Sequence, residues 1–310
     1  MKILFTGASS FTGYWFVKTL ADAGHEVICP LQGAPDGYDG VRRQRVEKLQ
    51  PLCRLVPLAA FGTDAFSKVI QDVGQWDLLC HHGAYAINYK SPAFDAQRAL
   101  ESNTLNLADV LSVMQERGLK AVLLTGSVFE NDEGLGNEPL RAFSPYGLSK
   151  GLTFQAFRYY CGQAGVALGK FVIPNPFGPF EEARFTAYLM RTWQSGKTAA
   201  VKTPLYVRDN IHADLLAQVY GNFAGRILTG SALETKINPS GYVESQGAFA
   251  RRVAREVQAR LGWACALELA RQEDFSEPWM RMNGDPAPPL MPRWNEAASW
   301  DGFCNFYGQK

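Results

Sequence analysis

A chain of 310 residues is too long for one small core and suits either two modest domains or one large α/β unit. With 31 Lys+Arg against 30 Asp+Glu, the formal net charge of +1 supplies no global field for nucleic acid or an anionic membrane, and 46% hydrophobic with 20% charged residues excludes disorder as the main state. No apolar run approaches the roughly 18–20 residues of a membrane helix, Ile3-Leu4-Phe5 is too short for the core of a signal peptide, and six scattered cysteines without a CxxC pattern fit a reducing compartment, the cytoplasm by default.

The first predicted strand, Lys2–Thr6, runs directly into Gly7-Ala8-Ser9-Ser10-Phe11-Thr12-Gly13 and then a helical pattern. A dinucleotide pyrophosphate needs this placement, because the free N–H groups of a helix N-terminus then face its negative charge. Gly7 permits the tight turn and Gly13 lets the helix approach the sheet, while Ser10 stands where a middle glycine usually lets backbone approach phosphate. The plain alternative is an ordinary βα turn. Tyr14 and Lys18 are four apart on the following helix, which serves packing and cofactor docking, so no chemistry is assigned to them.

The second strand, Glu26–Pro30, is expected to end on an acid that holds the adenosine ribose, but that position falls near Leu31 and the acid is missing. Arg42, Arg43 and Arg45 follow; they could neutralise a 2′-phosphate or be surface charges, which leaves both NAD and NADP open. A strand over Asp77–Cys80 leads into His81-His82-Gly83-Ala84. Adjacent strand residues point to opposite faces, so the two histidines cannot readily chelate one ion with Cys80, and no metal site is expected. Gly83 and Ala84 are small where backbone must run beside a flat cofactor. The next helical pattern carries Phe94, Leu100, Leu107, Leu111 and Met114 near helical period, contains Asn103, and ends at Gly118.

Strand Lys120–Thr125 leads into Gly126-Ser127, at the carboxyl edge where α/β sheets bind ligands. Tyr146 and Lys150 follow Ser144-Pro145 at the start of a helix, and their spacing puts both side chains on one face. A lysine ammonium beside a phenol favours the phenolate. Such a tyrosine can give a proton to a carbonyl oxygen, or take one from an alcohol, while hydride moves to or from nicotinamide. Lys150 can also hold ribose hydroxyls, and Ser127 can hydrogen-bond the reacting oxygen. Gly169–Ile173 is the last clear strand of this half.

Strand alternating with helix predicts an α/β fold with a doubly wound parallel sheet covered on both faces. Beyond about Asn175 the strands scatter and Pro and Gly become frequent. One strong helix carries Phe249, Val253, Val257 and Leu261, with Arg251, Arg252, Arg255 and Arg260 as a solvated face. Asp285–Pro292 reads as a surface excursion before an aromatic segment, Trp294–Tyr307. No flexible linker is visible. Residues 1–174 are therefore expected to bind the dinucleotide, and residues 175–310 to form a smaller C-terminal α/β substrate-binding region, packed on the first and partly interleaved with it.

These residues together resemble the extended short-chain dehydrogenase/reductase superfamily, in its nucleotide-sugar epimerase/dehydratase branch, over nearly the whole chain. Thr6-Gly7 to Gly13 matches the cofactor loop, His81 to Ala84 the His-x-Ala-Ala segment, Asn103 the Asn of the following helix, and Ser127, Tyr146 and Lys150 the catalytic triad. Asn175-Pro176-Phe177-Gly178-Pro179 resembles Asn-Val-Tyr-Gly-Pro, and Arg208-Asp209-Asn210-Ile211-His212 resembles Arg-Asp-Phe-Val-His; in the family that Asn and that Arg contact the substrate diphosphate. The chain departs from the pattern at Ser10, at Leu31, in Pro57–Ala60, which has no adenine-contacting Asp, and at Phe129, where the family has Tyr. Asp132-Glu133 comes too late after Ser127 to match the Asp-Glu pair of the 4,6-dehydratases, and Gly178 to Arg184 is similar to stretches in 4-ketoreductases.

The resemblance implies a Rossmann-type fold, NAD or NADP as cofactor, a nucleotide-diphosphate sugar as substrate, and epimerisation or ketoreduction at a sugar hydroxyl/keto carbon. It also implies Gly7, Ser10, Phe11, Thr12, Gly13, His81, Gly83, Ala84, Asn103, Tyr146 and Lys150 as cofactor contacts, and Ser127, Asn175 and Arg208 as substrate contacts. A homodimer built on the Phe94–Met114 and Tyr146–Tyr160 helices follows by the same analogy. The rival readings are a reductase of an apolar ketone, disfavoured by the polar Arg208 to His212 motif, and a non-catalytic cofactor sensor, disfavoured by the Tyr146/Lys150 pair.

Overall fold

The computed structural model describes residues 1–137 and 139–309. Seven parallel strands form its main sheet, in the spatial order Glu234–Ile237, Ala167–Ile173, Ala121–Ser127, Leu78–His81, Lys2–Thr6, Glu26–Pro30, Arg54–Val56. The chain starts in the middle and winds outward in both directions, so the order reverses between Lys2–Thr6 and Leu78–His81. In open parallel sheets a crevice opens beyond the carboxyl ends of the strands at that reversal.

Alternation along the strands supplies two cores. Ile3, Phe5, Leu78 and Cys80 face the helices Phe11–Asp22 and Ala213–Thr229, where Phe16 stacks on Tyr220 at 4.0 Å between ring centroids. Leu4, Leu79, Val122 and Leu124 face the opposite layer, formed by Asp64–Val73, Leu107–Glu116 and Pro145–Ala164. The helix Ala213–Thr229 and the edge strand Glu234–Ile237 lie late in the chain, yet they complete the first core and the main sheet.

A second, five-stranded sheet carries Tyr242–Ser245, Val207–His212, Met280–Met282 and Leu135–Gly136, with Asn175–Phe177 paired to Val207–His212. A third core gathers Phe177, Trp193, Phe249, Val253, Trp300 and Phe303 beside it. Among the described residues no helix is long and apolar enough to cross a membrane.

Several expectations shift. The helical pattern through Met114 is two helices, Ala96–Asn103 and Leu107–Glu116, because Asn106 adopts φ +50° and its side-chain amide donates to Gly62 O at 2.9 Å. A Cβ on Gly62 would lie 2.0 Å from Leu105 O, so the break is seated against a glycine turn. The Pro-rich excursion is anchored: Asp285–Pro286 pairs with Pro239–Ser240, and Ala287 is buried. The arginine face is not uniformly solvated either, since Arg252 grips Glu244 at 2.7 and 3.1 Å while Arg260 meets Glu256 and Asp301.

Candidate active site

At the reversal point the two strand ends approach backbone to backbone. Gly7 sits at φ +80°, and a Cβ there would lie 2.6 Å from Gly83 N. Only glycine accepts both that conformation and that approach. Gly13 is as constrained, with a would-be Cβ 2.2 Å from Gly7 O; it lies beneath the turn and packs the helix onto it. Ser10 caps the helix Phe11–Asp22, its hydroxyl accepting from Gly13 N at 3.1 Å and donating to Gly7 O at 2.8 Å. The middle position is thus a cap that fixes the turn. The first turn of this helix contains no acid, which leaves its positive end facing the crevice.

A cleft of about 1480 Å³ starts at this turn and runs across the carboxyl edge of the main sheet to the second sheet. It is lined by Gly7, Ser10, Phe11, Thr12, His81, Gly83, Ala84 and Asn103 at one end, and by Ser127, Tyr146, Lys150, Asn175 and Arg208 at the other. Of the residues expected to contact cofactor or substrate, Gly13 alone stays behind the wall. The Tyr14/Lys18 pair lies elsewhere: Tyr14 is buried against Trp15 and Phe180, and Lys18 pairs with Asp22.

The paired histidines diverge, as neighbours on a strand must. His81 packs between Phe61 and Phe157 on one face, with Nδ1 3.3 Å from Thr6 Oγ1. His82 enters the other layer beside Phe5 and Phe16. Its Nε2 lies 3.0 Å from Ser10 Oγ and 3.1 Å from Thr12 Oγ1, and its Nδ1 lies 3.0 Å from Thr125 Oγ1. Burial, with Lys150 nearby, lowers both rings to about 3, so both are neutral at physiological pH. His82, weighed in the sequence only as a metal ligand and given no other role, joins the glycine turn to the strand that ends in Ser127. Asn103 is buried and acts as a clamp, accepting from Tyr85 N at 2.8 Å and donating to Thr153 Oγ1 at 3.2 Å.

Ser127 ends its strand with its hydroxyl accepting from Phe129 N at 3.2 Å and its N–H donating to Glu130 Oε1 at 2.7 Å. Pro145 opens the helix Pro145–Ala164 and Ser144 caps it. Gly147 lets that helix press onto the loop after Ser127, since a Cβ would meet Phe129 O at 2.2 Å. Tyr146 and Lys150 therefore rise from the first turns into the cleft. Tyr146 is partly buried between Tyr89 and Phe94, with centroids at 5.2 and 5.8 Å.

The expected lowering of the Tyr146 phenol by Lys150 is not what the geometry gives. Burial first, then Glu130 and Tyr89, push the phenol above its ordinary range, with Arg184 opposing. Lys150 Nζ donates instead to Thr125 O at 2.6 Å, and burial lowers the amine to about 8. Beneath the pair lies a buried charge cluster that sequence reasoning missed. Lys170 meets Glu130 at 2.6 Å and Glu133 at 2.7 Å. Its signal was a lysine inside an otherwise apolar strand, which requires a buried counter-charge.

Across the cleft, Asn175 Nδ2 donates to Asp209 O at 3.1 Å. The Arg208 guanidinium lies over Tyr206 at 4.5 Å and donates to the carbonyls of Val207, Pro278 and Trp279. Its Nη2 meets the exposed Glu277 at 2.8 Å, so the fork is tethered to the 277–279 loop. Glu181, also on the wall, is raised by burial to about 7; Thr186 and Tyr307 both donate to its Oε1.

The close backbone approach at Gly7, the capped helix and the acid-free first turn fit a dinucleotide pyrophosphate. Comparison with known proteins agrees. The chain is 27% identical over 165 residues to dTDP-6-deoxy-L-talose 4-dehydrogenase (NAD(+)) of Aggregatibacter actinomycetemcomitans, a stretch that spans half of this chain and 54% of that relative. Its fold is similar to the crystal structure of a mutant UDP-glucuronic acid 4-epimerase from Bacillus cereus in complex with NAD and a fluorinated UDP-sugar, at TM-score 0.75 and 16% identity, covering 100% of this chain and 99% of that one. It is also similar to dTDP-glucose 4,6-dehydratase from Streptomyces venezuelae with NAD bound, at TM-score 0.73 and 17% identity, covering 100% and 98%. Residues 3–222 match the NAD dependent epimerase/dehydratase family, and the chain belongs to that family of enzymes.

Proposed function

We propose that this protein is an NAD(P)-dependent oxidoreductase acting at a hydroxyl/keto carbon, C4, of a nucleotide-diphosphate sugar. The observation that carries the reading is one continuous cleft holding a dinucleotide-type glycine turn at one end and Ser127, Tyr146 and Lys150 at the other. The nicotinamide cofactor, when bound, supplies the hydride donor or acceptor. Tyr146, held protonated by burial and Glu130, is in the form that gives its proton to a carbonyl oxygen during reduction, and it recovers one from the alcohol in the reverse direction. Ser127 orients the same oxygen by hydrogen bonding. Lys150, anchored on Thr125 O and largely cationic below about pH 8, would hold the ribose hydroxyls of the cofactor. Asn175 and Arg208 would hold the diphosphate, with Arg208 exchanging Glu277 for phosphate oxygens.

The similarity to a 4-dehydrogenase supports net oxidation or reduction. Epimerisation at the same carbon is the second reading, favoured by the fold's likeness to a 4-epimerase. The two differ in stoichiometry: a dehydrogenase consumes cofactor mole for mole, and an epimerase returns it. Exposed Leu148, Leu152 and Tyr159 on the Pro145–Ala164 helix support a homodimer through that face, and six free cysteines support a reducing, cytoplasmic setting. Tyr146→Phe removes the transferable proton alone. Turnover of nucleotide-diphosphate sugars, followed by cofactor absorbance, should fall by about 10²–10⁴-fold with calorimetric cofactor affinity retained. Full activity in the variant would overturn the assignment.

A further inference from the structure

Near the glycine turn, one cation in the cleft meets no carboxylate among the described residues. Arg42, on the helix Gly40–Leu49, reaches back to the turn, where its Nε and Nη2 both donate to Ser9 Oγ, at 3.1 and 2.8 Å. Tyr38 backs the guanidinium at 4.7 Å. Among the described residues Arg42 forms no salt bridge. Its neighbours differ. Arg43 turns outward to Glu47 at 2.9 Å, and the buried Arg45 pairs with Glu182 while donating to Ser9 O at 2.9 Å. Ser9 is thus fixed by one arginine through its carbonyl and by another through its hydroxyl. Both ends of this arrangement, Ser9 and Arg42, line the cleft together with Pro30, Leu31 and Gln32.

Those three residues end and follow the second strand, where an acid would accept from a ribose 2′-hydroxyl and repel a phosphate at that position. No acid stands there. A planar fork presenting Nε and Nη2 side by side matches two oxygens of a phosphate better than one hydroxyl oxygen, and the Ser9 hydroxyl lies between as a further donor. The positive end of the helix Phe11–Asp22 adds to the same field.

We infer that Arg42 and Ser9 form a subsite for a phosphate on the 2′-oxygen of the adenosine ribose, so that the protein takes NADP in preference to NAD. The inference rests on the reading of this cleft as a dinucleotide site, and it differs from the NAD named for the relatives above. Calorimetric titration of the full chain with 2′-phospho-ADP-ribose and with ADP-ribose, which carry no nicotinamide, separates the two ideas. The phosphorylated ligand should bind about 10- to 100-fold more tightly, a bidentate charge-assisted contact's worth. Arg42→Met should erase that ratio by weakening the phosphorylated ligand far more than ADP-ribose, and Arg43→Met should keep it. Equal binding of the two ligands, or tighter binding of ADP-ribose, overturns the subsite while the dinucleotide reading stands. Binding of neither overturns both. The wild-type ratio needs no variant, so a poorly folding Arg42→Met leaves the inference open to refutation.

Discussion

Around the glycine turn the two strand ends are uncharged and fine-grained: Gly7 against Gly83, a serine cap, and an uncharged His82 satisfied by three hydroxyls, with the cations Arg42 and Arg45 reaching in from the neighbouring helix Gly40–Leu49. Beneath the reacting end the same cleft rests on buried charge. Lys170 lies between Glu130 and Glu133. Asp209, buried, accepts from Gly241 N at 2.7 Å and Asn283 N at 3.0 Å, and the buried Arg281 donates to the carbonyls of Val128, Glu130, Glu133 and Arg141. The first region belongs to a regular sheet, whose backbone satisfies itself and leaves a helix terminus to do the electrostatic work. The second is built from short strands and loops that cannot satisfy their own backbone, so charged side chains are drawn inside to complete it. Position at the first end therefore depends on the absence of side-chain volume, and at the second on mutually dependent charges.

Lys170→Met strikes the second region hardest, leaving Glu130 buried without its cation and Glu133 with only the exposed Lys236. A loss of about 3–5 kcal/mol in urea unfolding is expected, and adding Glu130→Gln and Glu133→Gln should restore part of it. A loss below about 1 kcal/mol would mean that the cluster is not needed. Gly7→Ala tests the first region. Its cost should be about 1–3 kcal/mol in stability, with a larger proportional loss in calorimetric ADP-ribose affinity, because the displaced strand end is the binding surface. If stability falls and affinity does not, the turn is merely structural.

The smallest effect is on pH dependence. Glu181 keeps its proton to about pH 7 in the folded chain, against an ordinary 4.5, and its buried Oε2 has no hydrogen-bond partner among the described residues. A raised carboxyl contributes stability that is complete below the unfolded value and lost as pH rises through the folded one, here between about 4.5 and 7. Glu181→Gln should flatten that fall, shrinking the stability difference between pH 5 and pH 7 by on the order of 1 kcal/mol in thermal unfolding. An unchanged slope would show that the carboxyl titrates normally.

The contrast also explains what could be read in advance. Continuous apolar runs revealed Lys2–Thr6 and Glu26–Pro30 to the residue, because strands covered on both faces admit little else. Arg54–Val56 and Glu234–Ile237 escaped notice, since sheet-edge strands this short, with the second reading Glu-Thr-Lys-Ile, carry no such run. Apolar periodicity ran unbroken across the Thr104–Asn106 turn, for a left-handed Asn leaves no mark in a hydrophobic pattern. The placement of Ser127 at a strand end and of Tyr146 and Lys150 on one helix face was legible because helical spacing and strand ends are local facts. His82, Glu130 and Lys170 were not: their partners lie tens of residues away, and only tertiary folding decides which of two neighbouring histidines faces the turn.

Arg45 carries one further consequence. Its guanidinium is fully enclosed, and its three nitrogens reach Ser9 O, Phe180 O and Glu182, so an early helix is completed only by a segment more than a hundred residues later. Until that segment arrives, the cation beside the glycine turn must stay hydrated, and the turn has no lid of protein over it. The surroundings of the glycine turn are thereby shared property: they are complete only when residues from both halves of the chain have come together.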